Sequence, residues 1–412
     1  MNSLPPDWKR DRLKDRVRFA YGDSLAAENR NDGSVKVFGS NGVVGVHDRA
    51  ITKGRTIIIG RKGSFGKVTW SDEPCFPIDT TFFVDSSQTQ EELRWLFYAL
   101  EDLQLDTVNF DSAVPGLSRE MAYSLPLAYP PLPEQQRIAP YLDASCAAID
   151  AAVAAKRRQL EILDALVLST VQHVTTQGLD PSIQAKPSGL DWLPQVPSHW
   201  KVQQIKRRCE LLRGKFTHRP RNDPAFYDGE FPFVQTGDIT AAEKYIRSYS
   251  QTLNELGFSV SKMFPRGTLV MSIAANVGDV AILDFEACFP DSMVGLVPNH
   301  QTHLDFLYYL MRAMRGILLR AAVLTTQLNL NYVRIGTNFA PFPPKDEQEQ
   351  IAAFLNAKSA ESHATKTILN KQIEALIAYR KSLIHECVTG QRRITEAVSA
   401  GSPQTDVRWA VR

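Results

Sequence analysis

The pattern of apolar positions divides each half of the chain into a glycine-punctuated part and a long helical part. Short β-branched runs such as Thr56–Ile59 are separated by glycines, which is typical of strands joined by tight turns. The stretches 133–178 and 344–391 instead carry apolar residues at steps of mostly three and four, which predicts two long helices. Each stretch contains a glycine near its end, Gly178 or Gly390, as helices often do.

Each predicted helix has one apolar face that needs a partner. A helix of about 40 residues is roughly 60 Å long and gains little stability alone. Because the linker 179–198 is rich in proline, glycine and serine, the chain can turn back and the two helices can pair as an antiparallel coiled coil. The alternative is that each helix packs only on its own domain. The apolar positions predicted to serve these spacer and partner-binding helices are Ile138, Leu142, Ile149, Leu160, Leu163, Ile351, Leu355, Leu369, Ile373 and Leu376.

The second half of the sequence repeats the first at an offset of about 212 residues. The segment Cys75-Phe76-Pro77 returns as Cys288-Phe289-Pro290, and Glu134-Gln135 returns as Glu347-Gln348 after a proline-rich stretch in both copies. Trp8 returns as Trp200 at a shorter offset, so the second copy carries an insertion of roughly 20 residues, between Asp238 and Lys262.

These patterns predict an α/β (α+β-like) tandem repeat with pseudo-twofold symmetry. The predicted segments are a globular domain at 1–132, a long helix at 133–178, the linker at 179–198, a second globular domain at 199–343, a second long helix at 344–391 and a C-terminal tail at 392–412.

Composition indicates a globular chain with reduced cysteines. The hydrophobic fraction is 43% and the charged fraction is 22%. The five cysteines are isolated and form no CxxC or CxxH pair, so we expect buried thiols and no metal site. Met1–Arg10 is polar, and no run approaches the roughly 20 apolar residues that cross a bilayer, so we expect a cytoplasmic protein with no membrane partner.

A glycine-rich turn in the first copy carries the clearest local charge. Residues 49–70 contain six Lys or Arg and no acidic residue, whereas the whole chain has a net charge of only +2. Within this stretch Gly60–Lys67 departs from a nucleotide-binding P-loop, because five residues separate its glycines and Val68 follows the lysine. The turn suits close approach to a sugar–phosphate backbone through Arg61, Lys62, Ser64 and Lys67. The alternative is a solvated basic loop.

The second copy lacks this charge at the matching place, where Ser272–Gly278 stands. Its basic residues cluster instead in Lys201–Arg221, with eight Lys or Arg against Glu210. Amides that can contact adenine edges lie nearby in sequence, namely Gln235, Asn276, Gln327, Asn329 and Asn331. Two repeats with one scaffold and different polar surfaces suggest readers of two different sequences, although divergence by drift is the alternative.

Motifs for catalysis are missing from the sequence. It has no Asn-Pro-Pro-Tyr or Asp-Pro-Pro-Tyr segment for amino-methyl transfer, no FxGxG cofactor loop and no nucleophile elbow. The dipeptide Pro290-Asp291 is not followed by the acidic and lysine groups of a nuclease. We therefore expect no catalytic residues.

The repeat, the helices and several short segments together resemble the specificity subunits of Type I restriction–modification systems. The segments are GRKGSFG at residues 60–66, SAVPGLSRE at 112–120 leading to PPLPEQQRIA, and SGLDWLPQVPSHW at 188–200. Their order, spacing and duplication carry the resemblance, which covers essentially the whole chain.

The resemblance implies a DNA-reading subunit with one target-recognition domain in each half and helices that set the spacing. It implies double-stranded DNA, two methyltransferase subunits and two nuclease/translocase subunits as partners, with S-adenosylmethionine, ATP and Mg bound by those partners. The implied DNA-binding residues are Asn41, Gly42, Arg61, Lys62, Ser64 and Lys67 in the first half, and Gln235, Thr236, Asp238, Asn276, Gln327 and Asn329 in the second. The rival readings are an enzyme with a drifted catalytic motif and a helical adaptor that binds only protein.

Overall fold

The computed structural model describes residues 4–107, 116–274, 276–320, 323–324, 328–329 and 332–395. The chain forms two compact units. The first consists of Met1–Arg158 with Ile368–Arg412, and the second is Gln159–Thr367. Each unit therefore contains one globular head and parts of two long helices.

The elements of the first half begin with a strand and end with a long helix. They are β1 (Lys9–Arg12), β2 (Ala20–Tyr21), β3 (Val35–Gly39), β4 (Gly42–His47), β5 (Thr56–Gly60), β6 (Val68–Ser71), β7 (Phe76–Pro77), β8 (Thr81–Val84), α1 (Leu93–Asp102), α2 (Arg119–Ser124), β9 (Pro126–Tyr129) and α3 (Leu132–Gln177).

The second half follows a hairpin of β10 (Ala185–Leu190) and β11 (Leu193–Pro197). Its elements are β12 (Lys201–Gln204), β13 (Cys209–Arg213), β14 (Tyr227–Phe233), α4 (Thr236–Ala241), β15 (Tyr245–Ile246), β16 (Gln251–Leu253), α5 (Glu255–Ser259), β17 (Met263–Phe264), β18 (Leu269–Ser272), β19 (Val280–Leu283), β20 (Ala287–Cys288), β21 (Met293–Pro298), α6 (Leu304–Arg320), β22 (Val323–Leu324), β23 (Leu328–Asn329), α7 (Tyr332–Thr337), β24 (Phe339–Phe342) and α8 (Lys345–Val388). One-turn 3-10 helices cover Leu13–Asp15, Ala27–Asn29, Leu105–Thr107, Ile205–Arg207 and Pro224–Phe226.

The two heads share one strand plan. In the first head an antiparallel sheet has the order β2-β8-β5-β6, and a mixed sheet has the order β4-β3-β7. In the second head the corresponding sheets are β13-β21-β18-β19-β15 and β16-β14-β20-β17. A further antiparallel pair joins the entry of each head to its exit, β1 with β9 and β12 with β24. The predicted tandem α/β repeat is confirmed.

Continuous apolar runs form the central strands. Every residue of β5 and of β18 is buried, as expected for a short apolar strand that is covered on both faces. The inserted residues of the second copy supply β15, which adds a fifth strand beside β19. All five cysteines are buried and unpaired, as predicted, and burial raises the pKa of Cys209 to about 12.

The long helices pair antiparallel within each unit. In the first unit Lys156 Nζ donates to Gln372 Oε1 (2.7 Å), and Arg380 pairs with Asp150 (3.3 Å). In the second unit Lys366 pairs with Asp164. The residue numbers of the paired positions rise along α3 as they fall along α8, so the predicted antiparallel pairing is confirmed. Among the predicted positions Ile138, Leu142, Ile149, Ile351, Leu355, Ile373 and Leu376 are buried, and Leu160, Leu163 and Leu369 are half-buried.

The helices also pack on their own heads. Ile351 and Leu355 of α8 belong to one apolar cluster with Phe306 of α6 and with Val171 and Val174 of α3. The second unit therefore combines the two packing arrangements that the sequence left as alternatives.

Each head contacts the long helices through a set of one tryptophan, one glutamate and one glycine, which we call a joint. The first joint is Trp8, Glu134 and Gly390, and the second joint is Trp200, Glu347 and Gly178. The indole Nε1 of Trp8 donates to Glu134 (3.2 Å), and that of Trp200 donates to Glu347 (3.0 Å). Both glycines have a left-handed φ, +80° and +81°, that ends a long helix.

Each glycine also makes a close approach inside its joint. A Cβ on Gly390 would lie 3.2 Å from the Trp8 ring, and one on Gly178 would lie 3.4 Å from the Trp200 ring. Glycine at these positions therefore serves the helix end and the packing of the tryptophan together.

The segment predicted as a plain linker contains a hairpin. Strands β10 and β11 pair from Ala185↔Pro197 to Leu190↔Leu193, and Leu193 and Val196 are buried. The hairpin was not predicted, because proline, glycine and serine are typical of loops. In the structure Gly189, with φ +77°, lies beside the turn.

Helix α3 is long and apolar enough, by length and composition alone, to cross a membrane. The sequence did not predict this, because its alanines raise the mean hydropathy without forming a run of large apolar side chains. The helix carries Asp143 and Asp150, which pair with Arg94 and Arg380, and its apolar residues Ile138 and Ile149 are buried in the first unit.

Candidate DNA interface

The glycine turn of the first head joins β5 to β6. Gly63 and Gly66 have φ values of +73° and +75°, and a Cβ on Gly66 would lie 2.1 Å from the backbone nitrogen of Asp106. Only glycine fits there. The turn leaves Lys62 and Ser64 exposed, as the sequence predicts for residues that approach a ligand backbone.

The turn between β3 and β4 lies beside the glycine turn. Lys67 Nζ donates to the backbone oxygen of Asn41 (2.9 Å) and to its side-chain Oδ1 (2.8 Å). Gly42 follows with φ +124° and has open space where a Cβ would stand. The structure thus brings together Asn41, Gly42 and Lys67, which the family resemblance assigns to one DNA-contacting surface.

Arg61 is held more firmly than its neighbours. Its Nε and Nη2 donate to the carbonyl oxygen of Asp79 (3.2 and 2.7 Å). Its guanidinium lies 5.4 Å from the ring centre of Tyr21, and that of Arg119 lies 5.0 Å from the same ring. Tyr21 is 51% exposed, so an exposed ring between two arginines stands next to the glycine turn. Sequence reasoning missed Tyr21 and Arg119.

The second head carries amides where the first carries lysine and asparagine. Gln235 follows β14, and its Nε2 donates to Oε1 of Gln251, a residue that the sequence did not indicate. Thr236 is half-buried next to Gln235 at the start of α4. Asp238 accepts from the backbone N–H of Gln235 (2.7 Å) and so stabilises the first turn of α4.

The turn from β18 to β19 contacts α4. Asn276 Nδ2 donates to the Thr240 hydroxyl (2.8 Å), which in turn donates to Asp279 (3.0 Å). Asp279 also pairs with Arg315 of α6 (2.8 Å). The second head therefore repeats the contact between two turns with neutral and acidic groups where the first head uses Lys67.

A cavity of about 690 Å³ opens between these elements of the second head. Its lining includes the rings of Phe216, Tyr227 and Phe233 together with Gln235 and Gln251. Apolar walls with a few converging polar groups are typical of binding sites. Three predicted amides are not among the described lining residues: Gln327 and Asn331 lie outside the described residues, and Asn329 lies in β23.

A half-buried ion pair anchors the inserted segment of the second head. Lys244 Nζ lies 2.8 Å from Asp305 Oδ2 and donates to Asn356 Oδ1 of α8 (2.6 Å). Burial lowers the pKa of Lys244 against the opposing effect of Asp305. Burial raises the pKa of Asp305, but hydrogen bonds from Lys244 and Asn356 outweigh it and leave that pKa below its ordinary value. In the first head Arg94 and Asp143 form the matching contact (2.6 Å).

Across residues 4–395, apart from the stretches outside the description, no three His, Cys, Asp or Glu side chains are placed to hold a metal ion.

Comparison with known protein families gives one match that covers most of the chain. The family model is the Type I restriction modification DNA specificity domain, and it matches residues 5–161 and 197–375. Each matched stretch contains one head and part of the following helix.

Relatives described as specificity subunits of type I restriction enzymes match most of the chain. A putative type I restriction enzyme MjaX specificity subunit of Methanocaldococcus jannaschii is 22% identical over 96% of this chain and 96% of its own. The type I restriction enzyme EcoBI specificity subunit of Escherichia coli is 20% identical over 81% of this chain and 73% of its own.

Two solved structures share the fold. A chain from a study of complex assembly and conformational transition of the type I R-M system matches with a TM-score of 0.74 at 15% identity, over 95% of this chain and 100% of its own. The HsdS subunit from Thermoanaerobacter tengcongensis matches with a TM-score of 0.53 at 15% identity, over 95% and 99%.

Proposed function

The chain belongs to the DNA specificity subunits of Type I restriction–modification enzymes, and we propose that its two heads each read one half of a split DNA target. The observation that carries this proposal is a repeated scaffold with different reading surfaces. The joints and sheets recur in both heads, but Lys67 with Asn41 in the first is replaced by Asn276 with Thr240 in the second. Different side chains on equivalent turns contact different base edges.

The long helices set the gap between the two half-sites in this proposal. Helix α3 has 46 residues and is therefore about 69 Å long. Two turns of B-DNA are about 68 Å. A helix pair of this length suits half-sites on one face of the DNA, because stiff packed helices keep a fixed spacing.

We further propose that the helices dock the methyltransferase subunits, two per chain, and through them two nuclease/translocase subunits. Ile162, Leu166 and Leu168 are exposed along α3 in the second unit. An apolar groove beside them is lined by Leu163, Val167 and Leu355, among others. Ile162 and Leu166 stand one turn apart on one face of α3, whereas Leu168 lies on another face. Neighbouring exposed apolar side chains on one helix face are typical of an interaction surface.

The chain contributes no catalytic group in this proposal. S-adenosylmethionine, ATP and Mg bind to the partner subunits, and the assembly works in the cytoplasm. The experiment is incubation of the purified chain alone with labelled S-adenosylmethionine and DNA, beside the assembled complex. Methyl transfer only by the complex is expected, whereas transfer by the chain alone would contradict the proposal and favour the enzyme alternative.

Reading by separate heads is tested by exchanging residues 1–130 for the same region of a relative. We expect the mapped methylated sites to change in one half of the target and to keep the other half. An unchanged target would favour the third alternative, a helical adaptor that binds protein and no DNA.

A further inference from the structure

Three arginines of the second head converge on one carboxylate. Arg213 lies 4.0 Å and Arg219 lies 3.3 Å from Asp291 Oδ2, and Arg221 pairs with its Oδ1. The three arginine side chains are 52%, 51% and 45% exposed, whereas that of Asp291 is 28% exposed. One negative charge cannot neutralise three positive ones, so the cluster presents a net charge of about +2 to solvent.

Backbone contacts orient the cluster before any ligand binds. Arg213 Nε donates to the carbonyl oxygen of Asp291 (3.2 Å). Arg219 Nη1 donates to the carbonyl oxygens of Phe216 and His218 (2.7 Å each). A guanidinium has five N–H donors, so these contacts leave others for an anion. Oriented side chains lose less conformational freedom on binding.

The cluster lies where the first head carries Arg61. The segment after Phe76-Pro77 accepts hydrogen bonds from Arg61, and the segment after Phe289-Pro290 receives the three arginines. These segments follow β7 and β20, which are equivalent strands of the repeat. Arg213 ends β13, and the other two arginines lie in the connection from β13 to β14. The turn from β18 to β19, which corresponds to the glycine turn of the first head, has no basic residue, so the positive charge of the second head comes from these other elements.

The cluster also borders the reading surface of the second head. Arg221 lines the same cavity as Gln235, Thr236 and Ala274. Groups suited to a base edge and groups suited to a phosphate therefore stand side by side.

We propose that Arg213, Arg219 and Arg221, organised by Asp291, bind phosphodiester groups of the DNA backbone in the second half-site. This inference rests on the proposed function and names the contacts that replace the basic glycine turn. Arginine suits the role because its planar fork can bind two phosphate oxygens at once. Asp291 acts as a positioning residue, since it holds the guanidiniums together.

The test compares two double variants in the complex assembled with methyltransferase subunits. Arg219→Gln with Arg221→Gln removes two arginines of the cluster. The matched control is Arg247→Gln with Arg266→Gln, which removes two arginines paired with Asp284 (3.5 and 2.7 Å) outside the cavity lining. Thermal unfolding of each variant checks that both doubles fold like the wild type.

The measurement is affinity for a mixed-sequence duplex of about four helical turns as the salt concentration is varied. The slope of log K against log salt is negative, and each lost phosphate contact reduces its magnitude by about 0.9. The cluster double should therefore reduce the magnitude of the slope by about 1.8. When the salt concentration rises fourfold, the affinities of both proteins fall, and the fold-decrease for the cluster double should be about ten times smaller than that for the wild type. The control double should keep the wild-type slope.

Two results would overturn the assignment. One is an unchanged slope in the cluster double, and the other is an equal fall in both doubles, because total charge rather than location would then govern binding. A wild-type complex that binds no duplex would instead contradict the proposed function itself.

Discussion

Gln235 follows β14 and donates one amide hydrogen to Gln251. An amide has a second donor hydrogen and acceptor lone pairs, so the pair can still contact a base edge. We predict that Gln235→Ala relaxes base preference at one position in one half of the target, by about 1–3 kcal/mol. Mapping of methylated sites checks this, with Asn370→Ala, an exposed amide of α8, as control. An unchanged motif would contradict the prediction.

Asp305 stabilises the second unit through its half-buried pair with Lys244, whose side chain is 16% exposed. We predict that Asp305→Asn lowers the free energy of unfolding by about 1–3 kcal/mol, because it leaves the half-buried Lys244 without its counter-ion. Urea unfolding measures this loss. Replacing both residues, as Lys244→Met with Asp305→Leu, should restore most of it.

The pH dependence follows from the lowered pKa of Asp305. A carboxylate with a lowered folded-state pKa stabilises the fold above its ordinary value of about 3.9 and loses that effect as pH falls through the lowered pKa. The difference between wild type and Asp305→Asn should therefore shrink in acid below about pH 4. A difference that stays constant there would exclude this origin.

Among single contacts, only the one between Asn41 and Lys67 was foreshadowed. The family resemblance placed Asn41 beside the turn that carries Lys67, and the two residues share hydrogen bonds in the structure. Tyr21 was missed because a two-residue strand has no readable alternation. Gln251 was missed because its partner Gln235 is reached across the insertion, and sequence spacing does not show sheet register.

At the scale of elements, the joints are the most regular contacts between strands and helices. We predict that Trp8→Phe and Trp200→Phe each lower the free energy of unfolding by about 1.5–3 kcal/mol, because each removes a hydrogen bond to a carboxylate. Denaturant unfolding of the two variants serves as a mutual control. A loss confined to one variant would show that the joints differ.

The exposed apolar face of α3 belongs to the same scale. We predict that Leu166→Asp prevents capture of the methyltransferase subunit while the free energy of unfolding changes by less than about 0.5 kcal/mol, because Leu166 is 59% exposed. Co-purification measures the capture. The control is Leu256→Asp, which changes a similarly exposed leucine of α5 (51% exposed). An equal loss of methyltransferase capture in both variants would argue against a docking role of the α3 face.

The long helices were readable because their periodicity continues over more than ten turns. The predicted 133–178 and 344–391 became Leu132–Gln177 and Lys345–Val388. The hairpin of β10 and β11 and the added strand β15 were not readable, since both are short and depend on packing rather than on local pattern. The predicted domain boundaries as a set stay a prediction.

At the scale of the whole molecule, Leu160 lies next to the division between the two units, at Arg158 and Gln159. We predict that Leu160→Pro costs about 3 kcal/mol or more and uncouples the two halves, because proline removes a helix hydrogen bond and clashes with the preceding turn. Methylation of the split target by the assembled complex should fall sharply. Leu160→Ala is the control, and full specificity in the proline variant would contradict the spacer role.

The bipartite layout was predictable because the chain duplicates it, so every landmark was available twice. The bases read by each head were not, because in this proposal they depend on side chains such as Gln251 that have no counterpart in the other copy. Duplication reveals what the copies share, whereas recognition depends on what they do not share.

The two joints have an evolutionary consequence. Both joints consist of a tryptophan, a glutamate and a helix-ending glycine, so the long helices offer the same contact site to different heads. Recombination could exchange the whole segment between a joint tryptophan and the following long helix. The new head would then bring its own tryptophan and make the same contact with the helices. New pairs of half-targets can thus arise by shuffling cassettes, with no change to the surfaces that partners recognise.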